Sequence, residues 1–292
     1  MWIPITVAAA VFQTSRTALQ HRLRGLLSVS GAGFVRYLYG APLSIMATAI
    51  ALAAGVRLPE IGWQFWPTIA AGGMAQILAT MCLIKAFDAR DFAVGTVFSK
   101  TELVQTAVLS ALLLGEPLRV GGWIGVLVCL SGVALLAGGS RLWHAWRAPV
   151  ARWGVAAGGL FAVSAICIRS ASTGLGDSPA VMRAIVTLAV MNTIQTVVHG
   201  GYLVARERSQ IQLAVQHWRS SSVVGVLSVC GSACWALAFT LQNAAKVRAL
   251  GQVELVFTFL VSYLLLHDRQ TRREVIASAV VVAGVVLTVA AG

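Results

Sequence analysis

The sequence predicts an all-α membrane protein: ten transmembrane helices arranged as two inverted five-helix repeats. Three observations carry this. First, of 292 residues 58% are hydrophobic and only 11% charged, whereas a soluble domain carries about 25% charged residues. A core alone cannot hide so much apolar surface, so lipid must be the solvent. Second, the apolar residues fall into ten runs near 2–20, 31–54, 65–85, 92–114, 120–138, 153–171, 178–204, 219–243, 248–266 and 273–291. Each is long enough to cross ~30 Å of hydrocarbon. Third, the halves match. Glu102-Leu-Val is answered by Glu254-Leu-Val, and Leu112-Leu-Leu-Gly-Glu116 by Leu264-Leu-Leu-His-Asp268. Five spans per half is an odd number, so the second half must lie upside down relative to the first.

The spans can be justified in order. Met1 leads directly into span 1, which is expected to stay in the mature protein. Gln13, Arg16 and Gln20 share one face of that span, a polar stripe with Thr14 beside it. Arg22 and Arg36 flank the turn between spans 1 and 2 as Arg169 and Arg183 flank the turn between spans 6 and 7. Val56-Arg-Leu-Pro-Glu60, Gly115-Glu-Pro117 and Gly174-Leu-Gly-Asp-Ser-Pro179 are breaks of the expected composition. Gly121, Gly122, Gly125 and Gly132 on span 5 permit close helix contact. The repeats are read as 1–138 and 153–292. The linker 139–152 carries Trp143, Trp146 and arginines. Residues 205–219 read as a short amphipathic helix, either an anchor at the lipid–water boundary or a gate.

The net charge of +12 would point to nucleic acid in a soluble protein. Here the arginines sit in short loops beside apolar spans, so the partner is the bilayer, and no nucleic acid is expected. Loops 1–2, 3–4, 5–6, 7–8 and 9–10 hold the excess of Lys and Arg, which places both termini outside the cytoplasm. Cys82, Cys129, Cys167, Cys230 and Cys234 all fall in apolar runs, and no polar partner completes a metal site. No cofactor is expected. The motifs of metalloproteases, hydrolases and nucleotide-binding loops are missing from the sequence, so the chain does not read as an enzyme.

Chemistry is left to the polar groups inside the spans. A charge at bilayer depth costs ~3 kcal/mol or more, so it must face a cavity or a partner. Glu102 falls near the middle of span 4 and Glu254 about a third of the way into span 9. Two repeat-related carboxylates have two roles open to them. One is to trade a proton for substrate; the other is to be held by a cation or by backbone N–H groups and fix helix packing. Lys100 lies two residues from Glu102, about 200° around a helix, so the two do not face one another and Lys100 needs another partner. Arg16 could bind a carboxylate or phosphate, or snorkel to a head group. Gln76 and Thr80 on span 3, Thr101 and Gln105 on span 4, Asn192 and Gln195 on span 7, and Trp235, Gln242 and Asn243 on span 8 would line a polar and aromatic pocket or act as interhelical glue. The candidate site is therefore Gln13, Arg16, Gln76, Thr80, Lys100, Glu102, Gln105, Asn192, Trp235 and Glu254.

Glu102 followed by Leu112-Leu-Leu-Gly-Glu-Pro-Leu118, with its second copy at 254–268, resembles the EamA-type members of the drug/metabolite transporter superfamily across essentially the whole chain. The resemblance implies a basket of ten helices with a central cavity between the halves, and alternating-access movement of small molecules. It also implies cytoplasmic termini, opposite to the loop charges. Relatives handle amino acids, other metabolites or toxic compounds, often as exporters. This chain departs from the pattern with Leu103 and Leu255 where proline often follows the glutamate, with Asp268 after His267, and with Lys100. The expected activity is secondary-active transport, as an exporter in the plasma (inner) membrane, of small polar or amphipathic metabolites such as amino acids, with proton coupling open. A lipid or lipid-linked sugar flippase is the alternative within the class. A non-transporting scaffold or sensor, with all mid-span charges paired and no cavity, is the alternative outside it.

Overall fold

The computed structural model describes residues 1–23, 26–88, 92–136, 149–255, 257 and 271–291. The Leu264–Asp268 motif, Trp143, Trp146 and most of the linker 139–152 lie outside the described residues. Every regular element described is an α-helix: α1 Trp2–Leu23, α2 Val29–Ala53, α3 Phe65–Asp88, α4 Phe92–Ser99, α5 Glu102–Leu113, α6 Val120–Leu136, α7 Pro149–Thr173, α8 Ala180–Arg206, α9 Arg208–Gln216, α10 Trp218–Leu241, α11 Ala244–Gly251 and α12 Arg272–Ala291.

Six of these, α2, α3, α7, α8, α10 and α12, are long and apolar enough to cross a membrane. The count of ten is not reached among the described residues, and the reasons differ by span. Helix α1 is long enough, but Gln13, Thr14 and Arg16 dilute its apolarity. Helix α6 is apolar but only 17 residues long. Spans 4 and 9 are each broken.

The broken spans are the main departure from the sequence reading, which took 92–114 as one helix. Helix α4 ends at Ser99 and α5 starts at Glu102. Between them Lys100 N–H donates to Val97 O at 3.0 Å and Leu103 N–H to Lys100 O at 3.1 Å. These three-residue bonds tighten the ladder into a 3₁₀ turn, and Thr101 (φ −59°, ψ −15°) has the matching backbone. Span 9 does the same. Helix α11 stops at Gly251, Gln252 (φ −64°, ψ −11°) bonds back to Ala249 O at 3.1 Å, and Leu255 N–H bonds to Gln252 O at 3.0 Å. The first pinch contains no Gly or Pro, and Gly251 in the second is one glycine among 28, which is why composition announced neither.

The chain forms two compact units, and each draws on both sequence repeats: unit 1 is 1–77 with 167–241, unit 2 is 78–166 with 242–292. In unit 1, α1 packs on α10, and α2, α8 and α10 pack on one another. The amphipathic helix expected in 205–219 is present as α9. It buries Ala214 with Leu27, Ala32, Val35 and Val224. Its start secures the start of α2: Gln210 Oε1 accepts from Ser28 N–H at 2.8 Å, and Ser28 Oγ donates to Glu207 at 2.6 Å while accepting from Gly31 N–H at 3.1 Å. That satisfies donors a helix N-terminus otherwise leaves open.

Unit 2 is built around the crossing of α6 and α12. A methyl group added at Gly125 would come within 2.4 Å of Thr288 N, and one at Gly284 within 2.3 Å of Cys129 N. Only glycine lets the two backbones meet this closely. Helix α12 starts with a capping box, Thr271 N–H donating to Glu274 at 2.7 Å and Glu274 N–H to Thr271 Oγ1 at 3.3 Å. Helix α11 is capped by Asn243, whose side chain accepts from Ala245 N–H at 2.8 Å and donates to Glu116 O at 3.0 Å. Of the two roles open to Asn243, the bond to Glu116 O fits interhelical glue, and the side chain also caps α11.

Candidate functional site

The ten predicted site residues divide between the units. Unit 1 holds Gln13, Arg16, Gln76, Asn192 and Trp235; unit 2 holds Thr80, Lys100, Glu102, Gln105 and Glu254.

In unit 2 the two pinches carry the charges. Glu102 is not mid-helix; it opens α5, immediately after the first pinch, and is 8% exposed. Arg248 Nε on α11 lies 2.8 Å from Glu102 Oε1, at ion-pair distance without hydrogen-bond alignment. Glu254, just past the second pinch, pairs with Lys100 Nζ on the first. The arrangement is reciprocal: each repeat's glutamate meets a cation from the other repeat. Two negative and two positive side chains lie within one cluster, so the desolvation each suffers is offset by its neighbour. The partner the sequence asked for beside Lys100 is Glu254, with Glu102 also within electrostatic range.

The first pinch rests on α7. A methyl group at Gly158 would come within 2.8 Å of Ser99 O and 2.9 Å of Glu102 N, and one at Gly154 within 2.6 Å of Phe98 Cβ. Gln105 braces the same stretch, donating to Thr101 Oγ1 at 3.0 Å and reaching Val155 O at 3.4 Å. Thr80 is buried on α3. Lys85 lies over the ring of Trp153, 4.6 Å from its centroid.

In unit 1 the predicted polar residues bond mainly to one another across helices. Trp235 Nε1 donates to Gln13 Oε1 at 3.0 Å and the indole stacks on Phe239 at 5.7 Å. Gln195, fully buried, donates to Gln76 Oε1 at 2.9 Å and to Gly73 O at 3.1 Å. Asn192 Nδ2 donates to Ser44 Oγ at 3.3 Å. Arg169 donates to the carbonyl of Phe239 at 2.6 Å. Asn192 also lines a narrow crevice with Arg36, Tyr37, Ser228, Val229 and Ser232. Sequence reasoning passed over Arg248, Tyr37, Ser228, Ser232 and His199. His199 is buried beside Ser30 Oγ at 3.2 Å and packs edge-on against Phe34. Arg248 stands at a span edge, where an arginine ordinarily snorkels, and single hydroxyls on apolar spans carry no pattern.

Among the described residues no group of His, Cys, Asp and Glu is arranged to hold a metal ion. Cys129 is buried and the other four cysteines are half-buried, all as free thiols.

A model of the EamA-like transporter family matches residues 1–138 and again 150–290. The chain belongs to this family. It is thus an integral, multi-pass membrane protein of a family of small-molecule transporters. No curated protein matches the sequence. A solved crystal structure, described only as that of a protein, shares the fold with a TM-score of 0.72 at 16% identity, over 98% of this chain and 96% of its own.

Proposed function

We propose that this transporter is secondary-active and exports small polar or amphipathic metabolites, such as amino acids, across the plasma (inner) membrane by alternating access. The repeats 1–138 and 153–292 act as inverted halves joined by the linker 139–152. The observation that carries the reading is the reciprocal pairing of Glu102 with Arg248 and of Glu254 with Lys100 at two 3₁₀ pinches. A pinch inside a spanning segment is where a helix bends at least cost, and transporters of this class use broken helices at their working centre. Ion pairs that tie one half to the other can break and reform as the halves move. A carboxylate released from its cation takes up a proton in the low-dielectric interior, which supplies the coupling.

The test is counterflow in proteoliposomes with a panel of labelled metabolites, with and without an imposed pH gradient. Wild-type protein should exchange at least one of them in a gradient-dependent manner, and Glu102→Gln and Glu254→Gln should lose the dependence. Exchange indifferent to the gradient removes proton coupling. If no metabolite moves and both variants lose only thermal stability, the quartet is a structural clamp in a non-transporting scaffold.

A further inference from the structure

Helix α9 joins two long apolar helices of unit 1, α8 and α10. The backbone leaves helical geometry at both of its ends, at Glu207 (φ −141°, ψ 50°) and at His217 (φ −93°, ψ 34°). Helix α9 therefore turns off the axes of its neighbours and packs across α2, α8 and α10. Its residues sort by helical period. Gln210, Leu213, Ala214 and His217 fall on one face and are buried or half-buried against the unit. Arg208, Ile211, Gln212 and Val215 share the opposite face, and all but Ile211 are exposed.

Three exposed arginines stand at this end of the unit. Arg206 closes α8, Arg208 opens α9 and Arg219 lies in the first turn of α10. Among the described residues no acid is at ion-pair distance from any of them. The acid next to them in sequence, Glu207, accepts from the Ser28 hydroxyl at 2.6 Å. Apolar surface adjoins the charge: Val204, Val215 and Trp218 are each more than half exposed. The Arg219 guanidinium lies 5.7 Å from the centroid of the Trp218 ring. A surface part guanidinium and part apolar fits a ligand made the same way, with phosphate for the arginines and acyl chains for the valines and the indole. An indole also favours the boundary where the two environments meet. A free phosphate would leave the apolar part in water. A second copy of the chain offers little charge of the right sign, with 10 acidic residues against 22 basic.

We propose that the outer face of α9, with the end of α8 and the start of α10, is a docking surface for anionic phospholipid. Lipid phosphates meet Arg206, Arg208 and Arg219, and acyl chains cover Val215 and Trp218. Occupancy reaches the fold through α9 itself. Gln210 Oε1, on the protein side of that helix, accepts from Ser28 N–H at 2.8 Å and secures the start of α2. Lipid that holds α9 in place therefore holds the start of α2 as well.

The experiment is thermal unfolding of the full chain in neutral detergent at constant ionic strength, titrated with short-chain phosphatidylglycerol. Short-chain phosphatidylcholine and glycerol phosphate serve as references. A saturable rise in the midpoint is expected with phosphatidylglycerol beyond that with either reference, and it should shrink as salt is raised. Arg208→Gln and Arg219→Gln change exposed side chains, keep the fold, and should each raise the half-saturating concentration about fivefold. Arg57→Gln alters an exposed arginine beyond the opposite end of α2 and should leave it unchanged. No saturable rise, or an equal rise with phosphatidylcholine, overturns the site. An equal rise with glycerol phosphate makes the occupant a soluble anion and overturns the lipid assignment. Equal weakening by Arg57→Gln shows attraction to the charge of the whole protein and overturns the local surface.

Discussion

Unit 1 and unit 2 solve the same problem, how to keep polar groups out of lipid, by different means. Unit 2 closes its helices with bare backbone contact at Gly125, Gly132 and Gly284, and pairs Lys100 with Glu254 and Arg248 with Glu102. Unit 1 is tied by neutral bonds across helices, Gln13 to Trp235, Gln76 to Gln195 and Ser44 to Asn192. The contrast separates a part held by a charged latch from a part held by neutral ties.

The largest effect should come from unbalancing the quartet. Glu102→Gln leaves Arg248 buried beside a neutral group and should destabilise by about 3–5 kcal/mol. The double variant Glu102→Gln/Arg248→Met should recover much of that loss, as measured by chemical unfolding in detergent. Next comes the crossing of α6 and α12. Gly284→Ala must push Cys129 away and should cost about 1–3 kcal/mol, whereas Gly201→Ala, where an added methyl meets nothing within 4 Å, should cost far less. Breaking one neutral tie in unit 1 should cost less again: Trp235→Phe removes the donor to Gln13 and should lose about 1 kcal/mol.

Much of this architecture is legible in the sequence where a pattern repeats. Six of the expected spans stand as long apolar helices, and Glu102 and Glu254 drew attention because each half carries one. The helical angle between Lys100 and Glu102 assumed one continuous helix and could not supply the partner found, since Lys100 meets a residue 154 positions away. The pinches stayed hidden because Lys100-Thr101 and Gln252 are ordinary helix residues, and their 3₁₀ bonding is a tertiary effect. Gly158 on α7, which admits the first pinch, reads in sequence as one glycine among 28. The capping role of Asn243 was not legible, because a cap and an interhelical tie have the same composition and only the bond from Ala245 N–H marks the cap. Tyr37 and Ser228 are isolated hydroxyls on apolar faces, and nothing in one sequence marks them apart from packing residues.

The pairing of each repeat's glutamate with the other repeat's cation is the claim on which the latch depends, and a double-mutant cycle over Lys100 and Glu254 tests it most directly. Unfolding free energies of Lys100→Gln, Glu254→Gln and the double variant should deviate from additivity by at least about 1 kcal/mol, because each single change strands the other's charge. Additivity within about 0.5 kcal/mol would show that the two side chains do not interact and would contradict the account.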